Sequence, residues 1–286
     1  MKKLSKKQII LMVSIGFLMS LGIWSVWGNT ALEINEYTIV SDEIPQNFDD
    51  FRIAQISDLH NDEFGEGNEK LVRLLSRSCP DMIVITGDLI DSRHTNIGIA
   101  LEFVQQAMKL APVYYVSGNH ESRVLEYEAL KTGLIEAGVV ILENQKVRIT
   151  RNGEYIALMG IADPSFRNKD LFEDGASASA SALSELQNES DSYTVLLAHR
   201  PELFHTYANA GIDLVFSGHA HGGQFRLPFV GGLFAPHQGF FPKFDAGLFS
   251  EGSTSMIVSR GLGKSIIPLR FNNRPEIVVA ELKSVE

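Results

Sequence analysis

Apolar and polar positions along this chain fall into three regimes. Residues 9–27 form an uncharged run of nineteen, almost wholly apolar. After residue 50, short β-rich runs at 51–57, 81–86 and 113–117 are each followed by helical periodicity, at 68–78, 96–109 and 124–137. Alternation of this kind argues for parallel strand pairing. Beyond residue 138 the rhythm changes, and strand patterns at 139–142, 146–150 and 154–159 follow one another at hairpin distances across Asn144 and Asn152-Gly153. A mixed sheet is implied. Later strands are expected at 193–198, 214–217, near 256–259 and at 277–282, with a helix at 201–209. Residues 173–192, rich in Ser, Ala and acids, read as a surface helix at 176–187 or a loop, and residues 32–40 as a short edge strand. No internal repeat is visible, so 51–286 reads as one catalytic domain, with 29–50 as linker and edge strand.

The first run just spans a bilayer. Lys2, Lys3, Lys6 and Lys7 precede it, and Trp24 and Trp27 stand where a cleaved signal would carry small residues. Residues 1–28 are therefore read as a retained membrane anchor in preference to a signal peptide. Lysines before the span and none directly after it place the N-terminus in the cytoplasm and the remaining chain outside.

Those 28 residues carry four lysines and no acid, so the net charge of −10 becomes −14 for the rest of the chain. An acidic domain disfavours sequence-independent binding to nucleic acid. The single cysteine, Cys79, excludes an intramolecular disulfide and a Cys-built zinc site, which leaves any transition metal to His, Asp and Asn.

Five stretches end apolar runs with metal-ligand chemistry: Asp58-Leu59-His60, Gly87-Asp88-Leu89-Ile90-Asp91, Gly118-Asn119-His120-Glu121, His199, and Gly218-His219-Ala220-His221-Gly222-Gly223. Functional groups gather beyond the carboxyl ends of strands in open α/β sheets, so five scattered motifs can share one pocket. Gly87, Gly118 and Gly218 are expected to permit positive-φ turns directly before the ligand positions. Carboxylate, amide oxygen and imidazole without thiolate suit Mn, Fe, Zn, Ni or Mg. A carboxylate such as that of Asp88 can offer one oxygen to each of two cations.

In order and residue type these motifs resemble the calcineurin-like metallophosphoesterase family. The extended run from Gly218 to Gln224 followed by Pro228, and Ser259-Arg260-Gly261-Leu262-Gly263, resemble its membrane-associated bacterial branch. The resemblance covers roughly residues 50–283 and implies an α/β fold, a sandwich of two mixed β-sheets flanked by helices. It implies two divalent metal ions, one bound by Asp58, His60 and His221, the other by Asn119, His199 and His219, with Asp88 bridging. Attack by a hydroxide held between the cations would cleave a phosphoester. His120 would be a non-ligand acting on the leaving oxygen, and Asp91 and Glu121 would orient histidines. Glu121 stands where many relatives have Asp.

Substrate does not follow from fold. Phe225, Phe229, Phe234, Phe240, Phe241 and Phe244 follow the last ligands; packing as satellite core is their expected role, and receiving an acyl chain the alternative. With the anchor, they favour phosphodiesters or pyrophosphates of envelope lipids or wall polymers, with phosphomonoester hydrolysis as the alternative. A metal-binding scaffold without turnover would be expected to lack a ligand or the motif histidine. His94, His205 and His237 are read as structural, and Arg93 and Arg260 as rim arginines outside the catalytic set.

Overall fold

The computed structural model describes residues 5–166, 174–187, 193–264 and 269–285. Lys2 and Lys3 lie outside them, as do residues 173 and 188–192 of the Ser- and Ala-rich segment. The chain opens with α1 (Lys6–Thr30), capped by Ser5, whose side chain and backbone exchange hydrogen bonds with Gln8. Its side chains are exposed almost throughout, and it is the one described helix long and apolar enough to cross a membrane.

Three helical turns of 3₁₀ type and eight further elements build the first half: β1 (Glu33–Ser41), β2 (Arg52–Ile56), α2 (Glu69–Arg77), β3 (Met82–Thr86), α3 (Ile97–Ala107), β4 (Val113–Val116), α4 (Tyr127–Glu136) and β5 (Val140–Ile141), the last closing the first sheet. The second half contributes β6 (Gln145–Arg151), β7 (Glu154–Gly160), α5 (Gly175–Leu186), β8 (Thr194–Leu197), α6 (Phe204–Asn209) and β9 (Leu214–Ser217). Two small ribbons follow, β10 (Arg226–Leu227) with β11 (Gly231–Gly232) and β12 (Phe234–Ala235) with β13 (Gly239–Phe240), then β14 (Gly247–Glu251), β15 (Thr254–Val258) and β16 (Glu276–Ser284).

The large strands form two six-stranded mixed sheets, ordered β1-β16-β2-β3-β4-β5 and β14-β15-β9-β8-β7-β6. Alternation along β2 and β3 explains their stacking. Ile53, Met82 and Val84 point between the sheets, against Leu158, Val195, Leu197 and Phe216, while Ala54, Ile83 and Ile85 point outward onto Leu71, Leu75, Phe103 and Leu130 of α2, α3 and α4. The second sheet is covered in the same way by α5 and α6, through Ala182, Leu183, Phe204 and Tyr207. The order of layers is helices, sheet, sheet, helices.

One expected hairpin is absent. β5 does not pair across Asn144 with β6; it lies parallel to β4, with Tyr114 opposite Val140, whereas β6 pairs antiparallel with β7 in the other sheet. Asn144 takes a left-handed backbone, φ 53°, and turns the chain from one sheet to the next. The Phe-rich segment also departs from expectation. Phe244 packs against Phe204 and Phe249, but Phe229, Phe234, Phe240 and Phe241 are exposed.

Candidate metal centre

The carboxyl ends of β2, β3, β4, β8 and β9 converge. Asp58 and His60 follow β2, Asp88 follows β3, Asn119 follows β4, His199 follows β8, and His219 and His221 follow β9. Backbone bonds hold these loops together: Asp58 N–H donates to the Gly87 carbonyl, His60 N–H to Asp88, and Gly218 N–H to His199. All seven residues are buried.

Asp58, His60 and His221 form one triad. Their facing atoms are 3.1 Å apart between His60 Nε2 and His221 Nε2, 3.4 Å between Asp58 Oδ1 and His221 Nε2, and 3.8 Å between Asp58 Oδ1 and His60 Nε2. Asp88, His199, His219 and Asn119 form the second group. His199 Nε2 lies 3.3 Å from Asp88 Oδ2, 3.1 Å from His219 Nδ1 and 3.2 Å from Asn119 Oδ1. Neighbouring donors around one divalent ion with bonds of about 2.1 Å lie about 3.0–3.4 Å apart; every separation but the 3.8 Å between Asp58 and His60 falls in that range and fits an ion in each group.

Proton chemistry leads to the same conclusion. His199 Nδ1 lies 2.7 Å from the Thr86 carbonyl, which can only accept, so a neutral His199 turns its Nε2 lone pair toward other acceptors. Such a pocket needs positive charge. Burial opposes an imidazolium, yet the Asp88 carboxylate and its hydrogen bond raise His199 to about 10; a proton balances the group where no other cation does. Burial lowers His60 to about 3 and drives His219 and His221 well below the ordinary value, leaving them neutral as metal ligation requires. Although burial also disfavours its charge, Asp88 is held well below the carboxylate range by His199.

Asp88 reaches both groups, through one atom. Its Oδ2 is 3.6 Å from His60 Nε2 as well as 3.3 Å from His199 Nε2, while Oδ1 accepts the backbone N–H of His120 at 2.8 Å. The sequence expectation was one oxygen for each cation; here Oδ2 alone faces both groups. The glycine reading changes too. Only Gly87 of the three has positive φ, 91°, and a Cβ there would meet Gly118 N at 2.6 Å. Gly118 and Gly218 are needed for close approach instead, since a Cβ on either would strike Asp88 or Asp58. The left-handed backbone lies in the candidate ligand residues themselves: Asp58, His60, Asp88, His219 and His221 have φ of 52°, 49°, 51°, 66° and 49°. Conformations of this kind cost about 1–3 kcal/mol each and are held at functional sites by the surrounding structure.

Asp91 and Glu121 do not orient histidines by hydrogen bonding. Asp91 is occupied by Arg93, through its backbone N–H at 2.7 Å, Nε at 3.0 Å and Nη2 at 2.5 Å, and comes no nearer than 3.7 Å to His120 Nδ1. Burial opposes its ionisation, but the Arg93 hydrogen bonds hold Asp91 at about 2. Glu121 accepts from three backbone amides, those of Asp88 (2.9 Å), Gly118 (2.8 Å) and Ile90 (3.2 Å), because its buried carboxylate lies beneath both loops. Burial and the Asp88 charge raise it to about 8.

His120 is held by a residue that sequence reasoning passed over. Ser92 N–H donates to His120 Nδ1 at 3.0 Å, and the Ser92 hydroxyl lies 3.2 Å from the same atom. With Nδ1 accepting, Nε2 carries the proton of the neutral ring. His60, Asp91 and His120 also offer atoms within 4.8 Å of one another, but Arg93 and Ser92 already occupy Asp91 and His120 Nδ1. Arg200 was passed over as well, and His237 was read as structural. Asp163 binds Arg200 at 2.7 and 3.0 Å, Arg200 Nη1 lies 2.9 Å from His237 Nδ1, and that atom lies 3.0 Å from His219 Nε2. Arg200 directly follows a ligand, which was an available signal; His237 arrives on the ribbon segment and had none. Of the arginines left out of the set, Arg260 pairs with Glu276 and Glu33.

Residues 51–223 match the calcineurin-like phosphoesterase family. The chain is 31% identical over 258 residues to the uncharacterized metallophosphoesterase YkuE of Bacillus subtilis, covering 88% of this chain and 86% of that one. It is 29% identical over 241 residues to the phosphodiesterase YaeI of Escherichia coli, covering 81% and 82%. The solved structure of TT1561 from Thermus thermophilus shares the fold, with a TM-score of 0.51 at 15% identity over 74% of this chain and 90% of that one. The chain belongs to the calcineurin-like phosphoesterase family, whose members are hydrolases of phosphoric esters that use divalent metals.

Proposed function

We propose that the protein hydrolyses phosphodiester or pyrophosphate bonds of envelope lipids or wall polymers with two divalent cations. Asp58, His60 and His221 would hold one, Asn119, His199 and His219 the other, with Asp88 between them. The observation that carries this reading is the reach of Asp88 Oδ2 to His60 Nε2 and to His199 Nε2, at 3.6 and 3.3 Å. When bound, such cations supply an acidified water as nucleophile and positive charge for the phosphoryl oxygens.

The chain's own contribution to the leaving step is His120. Burial lowers its pKa, which favours the neutral ring with the proton on Nε2. That N–H can donate a hydrogen bond to a departing oxygen and stabilise its developing charge, and the Ser92 amide keeps the ring from turning. Glu121 fixes the height of the Asp88 and Gly118 loops, and the Asp163–Arg200 pair holds His237 against His219. Substrate class rests on α1, read as a retained anchor with its lysines in the cytoplasm and the domain outside.

The test is metal content after mild chelation and reloading, followed by turnover of a chromogenic phosphodiester. Two ions per chain with turnover restored by Mn supports the reading. One ion per chain at saturation, or two ions without turnover, overturns it.

A further inference from the structure

The exposed phenylalanines are not scattered. Phe229 sits fully exposed at the tip of the β10–β11 ribbon with φ 66°, next to half-exposed Val230. On the second ribbon Phe240 and Phe241 remain 72% and 62% exposed, and Phe234 stacks edge-on against Phe240 at 5.4 Å. A soluble surface has no use for four such rings in one short segment.

Contacts connect this segment to the anchor. Trp24 of α1 meets Phe271 edge-on, ring centroids 4.8 Å apart, and Phe271 forms a β-bridge with Phe225, its carbonyl accepting Arg226 N–H at 2.9 Å. From Phe225 the hydrogen bonds continue to Leu233 N–H at 2.8 Å and from Leu233 to Phe241 N–H at 2.9 Å. Asn29 fastens the same place, donating to the Arg270 carbonyl at 3.2 Å and accepting Arg270 N–H at 2.8 Å. Trp24 lies six residues before the end of α1, about 9 Å along the helix axis. A side chain that touches Trp24 therefore sits at the depth of the apolar span's outer turns, where aromatic rings favour the lipid interface. Phe271 is at that depth, and the ribbons are built directly upon it.

We propose that the ribbons of residues 225–241 are a second membrane contact, with Phe229, Val230, Phe240 and Phe241 seated in the interfacial layer of the bilayer that α1 crosses. The occupant is lipid, because the patch is continuous with a helix whose own apolar face is open to lipid along its length. Two attachments fix orientation where one leaves the domain free to swing. His237 lies between β12 and β13 and reaches His219 Nε2 at 3.0 Å, so the docked ribbons would hold the metal centre close to the headgroups.

This inference rests on α1 being a retained anchor, and the experiment separates the two. Cys79 is the sole cysteine and exposed, so Cys79→Ser gives a background for single nitroxide labels. Labels at Phe229→Cys, Phe240→Cys and Phe241→Cys are compared in the full chain, reconstituted in vesicles of phosphatidylethanolamine and phosphatidylglycerol. A label at Leu18→Cys reports insertion of α1. A label at Ile135→Cys, on α4 beside β5 at the opposite sheet edge from β1, reports water. The expected result is a ratio of oxygen to chromium oxalate collisions several-fold above that of Ile135 at all three ribbon sites. Ribbon labels as water-exposed as Ile135, with Leu18 inserted, overturn the docking and leave the anchor standing; Leu18 exposed to water overturns the anchor itself. Shielding accompanied by spin–spin broadening would assign the patch to a second copy of the chain and equally reject the lipid contact.

Discussion

Glu121 Oε2 accepts the backbone N–H of Asp88 at 2.9 Å, so one buried acid sets the position of another. The same carboxylate also serves Gly118 and Ile90. Glu121→Ala should leave three buried donors unpaired, each costing about 1–3 kcal/mol. A loss of about 3 kcal/mol lowers melting by about 6–12 °C in a domain of this size. Glu121→Gln keeps one acceptor and should fall between the two. An alanine variant that melts with the parent would show that the loops hold themselves.

Asp88→Asn tests the bridge. Among the described residues its Oδ2 is the carboxylate atom that faces both groups, so loss of charge should reduce metal stoichiometry and turnover together. Atomic absorption alongside an initial-rate assay reads both. Full occupancy with a full rate would remove Asp88 from the shared position.

His120→Ala should behave in the opposite way, keeping its metals. Turnover of esters with poor leaving groups should drop by about 10²–10⁴, and activated esters should suffer less. Ser92→Ala removes only the hydroxyl and leaves the amide that grips Nδ1, so its effect should be small beside that of His120. An empty metal site in His120→Ala would make the ring a ligand.

Metal affinity should rise with pH. Asp88 raises His199 to about 10, so at neutral pH the metal-free group holds a proton that an incoming cation must expel. Lower pH keeps that proton bound and weakens binding; higher pH removes the competitor. One displaced proton corresponds to about a tenfold gain in affinity per pH unit. Calorimetric titration in two buffers of different ionisation enthalpy measures the release. Equal heats in both buffers and pH-independent affinity would rule it out.

Protease added to intact cells stripped of their wall should digest the domain and spare α1. Protection until lysis would reverse the orientation and move the substrates to the cytoplasm. Recovery of a soluble, trimmed chain from the medium would make residues 9–27 a signal peptide.

How much of this was legible in the sequence depended on range. Strands such as β3 and β8 were visible because each is a short apolar run closed by a ligand motif, and convergence at their carboxyl ends followed from sheet topology. Which sheet a strand joins is a long-range choice. β5 and β6 are near neighbours in sequence, yet Leu142 N–H donates to Tyr115 O at 2.8 Å on one side of the Asn144 turn, while Gln145 pairs with Gly160 on the other. Local pattern carries no information about that separation. Residue types identified Asp58, His60 and Asp88 as ligand candidates without revealing their left-handed backbones, because φ is imposed by the loops packed around them. The amide of Ser92 was invisible for a related reason, since a backbone donor has no residue type. Exposure of the phenylalanines was misjudged on hydrophobicity alone, which cannot say whether an apolar ring faces protein or lipid.

Each metal-ligand group takes members from both halves of the sandwich: Asp58 and His60 follow a strand of the first sheet and His221 one of the second, while Asp88 and Asn119 meet His199 and His219 across the same divide. On the proposed function, an ion in either position would work as a rivet through the two layers, and loading the centre would also be an act of folding. At a free-ion concentration about a thousand times Kd, each ion adds about 4 kcal/mol to the folded state. The stripped enzyme should thus be less heat-stable as well as inactive, its sheets joined only by the apolar layer between them and by bonds such as those from Gln55 Nε2 to Thr86 Oγ1 and to the Ser217 carbonyl, both at 2.8 Å.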